Sequence, residues 1–471
     1  MSDGALRTPG GRHGTVAAGE SGWAAPARLV GDGLPVPCLD GVDRPYAALD
    51  SAASTGAMTA VADRVARFLP WYSSVHRGAG YLSQLATAGY EHARREILGF
   101  AGRPDGGADI AILCRNTTEA INHLAYRLAV EPGDVVVTTA VEHHANLLPW
   151  GRVATRHVVA CEADGTFSAD AVVAALDGRP RPRLLAITGA SNVTGWMPPL
   201  VPIVAAARER GVPVLVDAAQ LAPHRPLPAE PDFLAFSGHK MYAPFGAGAL
   251  VGPRAAFAAG EPFLAGGNAV DLVTLDDVIW KAPPDREEAG SPNVVGVLAF
   301  ATAAAELRRI GFDAVARHDL ALARRLRTGL AAIDGVRLLG PAPEAETLPI
   351  ATFVVEGVPY ALVAARLSAE HGVGVRHGCF CAHPYLARLL GLGAADLRRM
   401  AADVRRGDHS AFPGAVRASC GISATRADVD RLLAGVAAIA AGPPEAPYVL
   451  DRRTGDWWPA GFARPAAPAP G

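Results

Sequence analysis

The chain has 471 residues, 50% of them hydrophobic and 19% charged, with a formal net charge of -2. That length suits two ordinary domains or one large catalytic unit with a smaller lobe, and the composition is globular with ample core. Nothing in the near-neutral balance suggests a polyanion partner, so no nucleic-acid partner is expected, and no uninterrupted apolar run is long enough to span a bilayer.

Met1 to about Ala25 is rich in Gly, Ala and Arg and lacks the apolar stretch of a secretory signal. The six cysteines, Cys38, Cys114, Cys161, Cys379, Cys381 and Cys420, are dispersed apart from one pair and do not read as a disulfide framework. The cytoplasm is the default compartment.

Residues 1–42 show little periodicity and are expected to form a loose extension, with Cys38 incidental. Arg44 to Ser54 reads as a short strand ending in small residues. Val61 to Leu69 has helical spacing. The stretch from Ser73 to Gly80, with His76 and Arg77, is a loop before a helix over 83–98. Asp109 to Cys114 is a buried strand that leads through Asn116 to a helix start at Thr117-Thr118-Glu119. The exposed N–H groups of a helix N-terminus make an anion site there; a simple cap accounts for the same residues.

A second buried strand, 134–138, leads to Glu142-His143-His144-Ala145-Asn146. Adjacent residues do not share a helix face, and no Cys or carboxylate has matching ligand spacing. No metal site is expected; a flat imidazole stacked on a planar cofactor fits better. The pattern then repeats as strand 183–188, loop 191–195 with Asn192, helix 201–209, and strand 214–217 with a polar tip ending at Gln220. Phe233 to Phe236 is a short buried strand running into Ser237-Gly238-His239-Lys240.

Strands alternating with helices imply a mainly parallel sheet. In such sheets ligands bind beyond the carboxyl ends of the strands. Thr117, His143, Asn192, Asp217 and Lys240 all fall at such ends. Of the 44 basic residues only two, Lys240 and Lys281, are lysines. Arginine stays protonated and cannot form an imine, whereas a lysine in an apolar pocket loses its proton and does. Lys240 therefore points to pyridoxal 5′-phosphate (PLP). The competing reading is a strand-end lysine that reaches to water. Asp217 suits the same cofactor, because PLP is an electron sink only while a carboxylate keeps its ring nitrogen protonated. Its competing reading is a cap for the next helix.

Beyond Gly252 come Leu264 to Gly267 and Glu288 to Asn293, which contains Ser291. Helices over 295–309 and 312–333, a strand over 351–356 and a helix over 358–371 suggest a smaller α+β domain. Cys379-Phe380-Cys381 is C-x-C rather than C-x-x-C, and no second pair supports zinc. It lies among Arg376, His377 and His383, and positive charge favours a thiolate nucleophile. A long polar segment precedes Arg417-Ala418-Ser419-Cys420, and a last helix spans 426–441. The tail, 442–471, is rich in Pro and Ala and carries Trp457-Trp458, whose packing the sequence leaves open. The expected division is thus an extension (1–42), a large cofactor-binding domain (43–295), a small C-terminal domain with the N-terminal segment packed on it (296–441), and the tail.

Taken together, His76-Arg77-Gly78, Thr117-Thr118-Glu119, Glu142-His143-His144-Ala145-Asn146, Asp217-Ala218-Ala219-Gln220, Ser237-Gly238-His239-Lys240, Gly290-Ser291-Pro292-Asn293, Arg376-His377-Gly378 with Cys381-Ala382, and Arg417-Ala418-Ser419 resemble the class V aminotransferases. These are fold-type I PLP enzymes, and the resemblance, over roughly Leu49 to Ala440, is to the cysteine desulfurase and selenocysteine lyase branch. It implies an α/β large domain with a seven-stranded-type sheet and a smaller α+β domain. It also implies a reaction in which sulfur leaves L-cysteine for a Cys381 persulfide and L-alanine is released.

Residue by residue, the resemblance implies that Lys240 holds PLP and moves protons at the substrate Cα. Asp217 would pair with the pyridine nitrogen, Gln220 with the phenolic oxygen, and His143 would stack on the ring within the catalytic set. Thr117, Thr118, Ser237 and His239 would hold the phosphate, joined by Ser291 from a neighbouring subunit, which makes the protein a homodimer. Asn192 and Arg417 would bind the substrate carboxylate, with His76 and Arg376 near the substrate. A sulfur-acceptor protein would be a further partner. The family also contains epimerases, C–S lyases and transaminases, which use the same cofactor site with Cys381 as bystander. Three features depart from the pattern: Cys379 where close relatives commonly have histidine, a longer stretch between Pro384 and Arg417 expected to cover the active-site mouth at 394–413, and the two terminal segments.

Overall fold

The computed structural model describes residues 25–464 apart from Ala129, Pro132 and Ala411. Seven strands build the central sheet: β1 (Asp109–Cys114), β2 (Val135–Thr139), β3 (Thr155–Val159), β4 (Leu184–Thr188), β5 (Val214–Asp217), β6 (Phe233–Ser237) and β7 (Gly248–Pro253). Their spatial order is β1-β7-β6-β5-β4-β2-β3. Strands β6, β5, β4, β2 and β3 are parallel neighbours, while β7 runs antiparallel to both β1 and β6. This is the mainly parallel α/β sheet of fold-type I enzymes.

Strands of such a sheet are buried on both faces and read as unbroken apolar runs. Successive side chains alternate between the faces. Val137, Ile187, Val216, Leu234 and Phe236 enter one core with helices Thr59–Phe68, Tyr81–Phe100 and Val294–Ile310. Val136, Ala186, Leu215, Phe233 and Ala235 enter another, closed by Ala120, Ile121 and Leu124 of helix Thr117–Arg127. Two strands gave little signal in the sequence. Four of the five residues of β3 are exposed, so this edge strand has no apolar run. β7 starts at a glycine because a Cβ on Gly248 would lie 2.7 Å from the Asn116 Cα.

A second, four-stranded sheet comprises β8 (Val336–Leu339), β9 (Ile350–Val355), β10 (Arg376–Gly378) and β11 (Ala415–Ser419), in the order β8-β9-β11-β10. All its neighbours are antiparallel. Its core joins Phe353 and Val416 to Leu322 and Leu326 of helix Phe312–Ala331, Leu367 of helix Tyr360–His371 and Leu432 of helix Arg426–Ala441. The boundary expected at 295/296 falls inside helix Val294–Ile310. That helix belongs with the large sheet, because Val297, Phe300, Ala304 and Leu307 are buried in its core.

Residues 25–42 differ from the loose extension expected. Pro35–Pro37 pairs antiparallel with Asp43–Pro45, Leu39 N–H donates to the Ala369 carbonyl at 2.8 Å, and Cys38 is buried. Residues 1–24 of that extension and 465–471 of the tail lie outside the described residues. The rest of the tail folds back as a hairpin, Tyr448–Asp451 with Asp456–Pro459. The Tyr448 hydroxyl donates to Glu370 at 3.0 Å, and Arg366 donates to the carbonyls of Gly442 and Pro443, each at 3.0 Å. Both Trp457 and Trp458 lie in this hairpin. Among the described residues, no helix is long and apolar enough to cross a membrane.

Candidate active site

The carboxyl ends of β1, β2, β4, β5 and β6 open onto one cavity of about 240 Å³, closed on the far side by Arg376, Phe380, Cys381 and Arg417 from the small-sheet half of the chain. Of the residues singled out in the sequence, Thr117, Thr118, His143, Asn192, Asp217, Gln220, Ser237, His239, Lys240, Arg376, Cys381 and Arg417 line it. His76 and Ser291 do not. They share a separate hollow with residues 72–77 and Asn268. There the His76 ring meets the edge of Tyr90 and its Nε2 lies 3.4 Å from Glu91.

At the β1 end, Asn116 rather than either threonine caps the helix, its side chain accepting from Glu119 N–H at 3.0 Å. Thr117 and Thr118 are thereby the first helical residues, at the positive end of the helix dipole. Thr117 N–H donates to Ser237 Oγ at 2.7 Å, and the two hydroxyls are 2.6 Å apart. Hydroxyls and helix N–H groups from two strands thus converge on a spot suited to a phosphate.

Asp217 ends β5 and is buried; its carboxylate accepts from Ala219 N–H at 3.0 Å. Burial raises its pKa, while that N–H and the Lys240 charge favour the carboxylate. Lys240 closes a single 3-10 turn directly after β6, the strand beside β5. Burial pushes its pKa down to about 8, against the pull of Asp217 and assisted by Arg417. His143 is neutral, since burial and Lys240 lower its pKa to about 3. Its Nδ1 accepts from Ala145 N–H at 3.0 Å, which leaves Nε2 to carry the proton. His239 is held at about 4 for the same two reasons. Gln220 donates to the Ala52 carbonyl at 2.7 Å.

Arg417, on β11, is buried. It donates to the Asn192 carbonyl and to Asp50 Oδ1, each at 2.9 Å, and lies 5.0 Å from the Phe380 ring centroid. Asn192 in turn donates to the Phe380 carbonyl at 2.7 Å. Arg417 Nε is a buried donor without an acceptor among the described residues, the kind of group that a ligand satisfies. Cys381 lies in a turn closed by Ala382 N–H to the Cys379 carbonyl at 3.0 Å, and its own carbonyl accepts from His144 N–H at 2.8 Å. Lys281, the other lysine, is elsewhere, with Nζ 3.3 Å from Asn268 Oδ1.

Sequence reasoning missed Asp50, Phe380 and the role of Glu142. Glu142 is buried beneath the site and accepts from Thr139, Thr188 N–H and Asn146 at 2.7, 3.0 and 2.7 Å. Burial raises its pKa to about 8 in spite of those three bonds. A carboxylate at the end of an apolar strand was its only available signal. The insertion around 394–413 does not line this cavity with any of its described residues. Its helix, Ala394–Arg405, covers a neighbouring groove instead.

A buried aspartate, a lysine of lowered basicity on the adjacent strand, a neutral imidazole, an anion nest and an unpartnered guanidinium donor together fit PLP and an amino-acid carboxylate. Such a set on such a sheet is that of a fold-type I PLP enzyme. The sequence profile of the class-V aminotransferases matches residues 47–432. A probable cysteine desulfurase 2 of Mycobacterium leprae is 35% identical over 405 residues, which are 82% of this chain and 90% of that one. A cysteine desulfurase of Klebsiella pneumoniae is 34% identical, covering 83% and 93%. Among solved structures, the Escherichia coli cysteine desulfurase CsdA superposes with a TM-score of 0.71 at 32% identity, over 83% of this chain and 94% of that one. The apo cysteine desulfurase of Thermococcus onnurineus gives 0.75 at 28%, over 84% and 95%. The chain belongs to the class-V aminotransferase family and is a PLP-dependent enzyme.

Proposed function

We propose that the protein is a cysteine desulfurase that moves sulfur from L-cysteine to Cys381 and releases L-alanine. The observation that carries this reading is that Cys381 and Lys240 line the same cavity, together with Arg417. Lys240 holds the cofactor and, as a free amine, takes the proton from the substrate Cα and returns it. Bound PLP supplies the electron sink for that chemistry. Asp217 would keep the ring nitrogen protonated, Gln220 would serve the phenolic oxygen, and His143 would cover the ring. Thr117, Thr118, Ser237 and His239 hold the phosphate. Asn192, Arg376 and Arg417 orient the substrate carboxylate, for which a planar fork of donors suits two oxygens. The Cys381 thiolate then attacks the substrate sulfur: the new bond is Cys381 Sγ–S, the bond broken is Cβ–S, and the carbon skeleton leaves as alanine after protonation.

The same reading makes the working unit a homodimer, in which Ser291 and His76 serve the neighbouring site. Its support is that these two residues share a hollow of their own, away from Lys240, beside exposed Trp71 and Tyr72. Sulfur then passes to an acceptor protein. The test is an absorbance spectrum before and after L-cysteine, with alanine and sulfide quantified, on native protein and Cys381→Ala. Alanine from the native protein and none from the variant is the expected result. Turnover that survives in Cys381→Ala would transfer the site to C–S lyase chemistry.

A further inference from the structure

Cys379 and Cys381 stand at positions one and three of a single tight turn whose two central residues, Phe380 and Cys381, both have φ 55°. This left-handed geometry is costly for residues other than glycine. The two residues, neighbours across this turn, border different spaces. Cys381 lines the polar cavity with Lys240. Cys379 lines a separate apolar groove of about 320 Å³ with Leu386, Leu397, Met400 and Phe412. The inserted helix Ala394–Arg405 supplies Leu397, Met400, Ala401 and Val404 to that groove, a helical stripe within an otherwise polar segment.

His383 lines the same groove and stacks on His144 with ring centroids 4.8 Å apart. His144 Nε2 accepts the His383 backbone N–H at 3.2 Å and lies 3.0 Å from His383 Nδ1. Nε2 of His144 is therefore the acceptor, His383 donates from Nδ1, and its Nε2 is left as a base. Burial lowers the pKa of both rings, which keeps them neutral, and raises that of the Cys379 thiol, which thus needs a base.

We propose that Cys379 is a second station for the sulfur, taking it from the Cys381 persulfide and presenting it in the apolar groove. The proposal rests on the desulfurase reading above. Cys379 sulfur attacks the outer sulfur of Cys381–S–SH. A new S–S bond forms at Cys379, the Cys381 Sγ–S bond breaks, and Cys381 leaves as a thiolate. The Cys379 proton goes to His383 Nε2 and from there to solvent. The exchange is isoelectronic and needs no oxidant, and it frees Cys381 for the next substrate while the product sulfur is held away from Lys240.

The test maps the sulfur. PLP-loaded protein receives L-cysteine, is quenched with iodoacetamide and is cut with trypsin. Cleavage after Arg376 and Arg388 leaves both thiols on peptide 377–388, and fragment ions broken at Phe380 tell them apart. Added sulfur is expected on Cys379 in the native protein, on Cys381 alone in Cys379→Ser, and on neither in Cys381→Ser. Alanine formed with sulfur confined to Cys381 in the native protein overturns the relay and leaves the desulfurase reading standing. Sulfur on Cys379 in Cys381→Ser also overturns it, because Cys379 would then be loaded by the substrate directly. No alanine and no added sulfur on either residue overturns both.

Discussion

Protonation at the cavity is a contest between burial and charge, and Lys240 shows how it is settled. Its folded pKa of about 8 lies below the ordinary 10.5. Only the neutral amine attacks an aldehyde, so cofactor-free protein should take up PLP faster as pH rises through about 8 and reach a plateau above it. Stopped-flow absorbance over a pH series reads this directly; a flat profile would contradict it. The stability sign is also fixed. Between about 8 and 10.5 the unfolded chain binds this proton more readily than the folded one, so the cofactor-free protein gains stability with pH across that window. Glu142 gives a second prediction. Above a pH of about 8, where the Glu142 carboxylate is ionised, the Glu142→Gln amide presents a donor where Asn146 already donates, which leaves a buried polar group unmatched. The expected loss is about 1–3 kcal/mol, read as a lower urea midpoint at unchanged slope. Lys240, Asp217 and Arg417 were legible in the sequence because each does chemistry that few residue types can do. Asp50 and Phe380 were not, because their meaning comes from contact with Arg417, and Asp50 lies far from it along the chain.

At the scale of elements, apolar runs ending in polar tips located five strand ends, and these strand ends are what assemble the cavity. The same signal failed where burial was one-sided or the segment short: edge strand β3, the three-residue β10, and the helix of the insertion, whose apolar stripe is masked by its charges. The tail was illegible for a related reason. Its hairpin is held by Tyr448 and by carbonyls at 442–443, which reach the buried Arg366–Glu370 pair. Ending the chain after Ala441 should therefore lower stability by about 1–3 kcal/mol, as one of that pair's charge-assisted bonds after another is lost. Thermal unfolding would show it, with the PLP band intact. An unchanged transition would mean that the hairpin is an ornament on the fold.

For the whole molecule, the placement of His76 and Ser291 away from Lys240 makes a sharp expectation. If they serve the opposite subunit, Lys240→Ala and His76→Ala are each inactive as homodimers, yet a mixture dissociated and reassembled regains activity. In the mixed dimer one site keeps an intact Lys240 from one chain and an intact His76 from the other. Failure of the mixture to recover, with differently tagged chains co-purifying as mixed dimers, would assign His76 to the site of its own chain.

The scarcity of lysine has a practical corollary. Free aldehydes stick to surface amines of most proteins, and an excess of cofactor then overstates how much is specifically held. Here Lys281 is the only lysine besides Lys240, and it is engaged by Asn268. Off-site attachment to side chains has almost nowhere to go. A titration carried well past saturation should still count close to one cofactor per chain, and the protein serves as its own blank for stoichiometry.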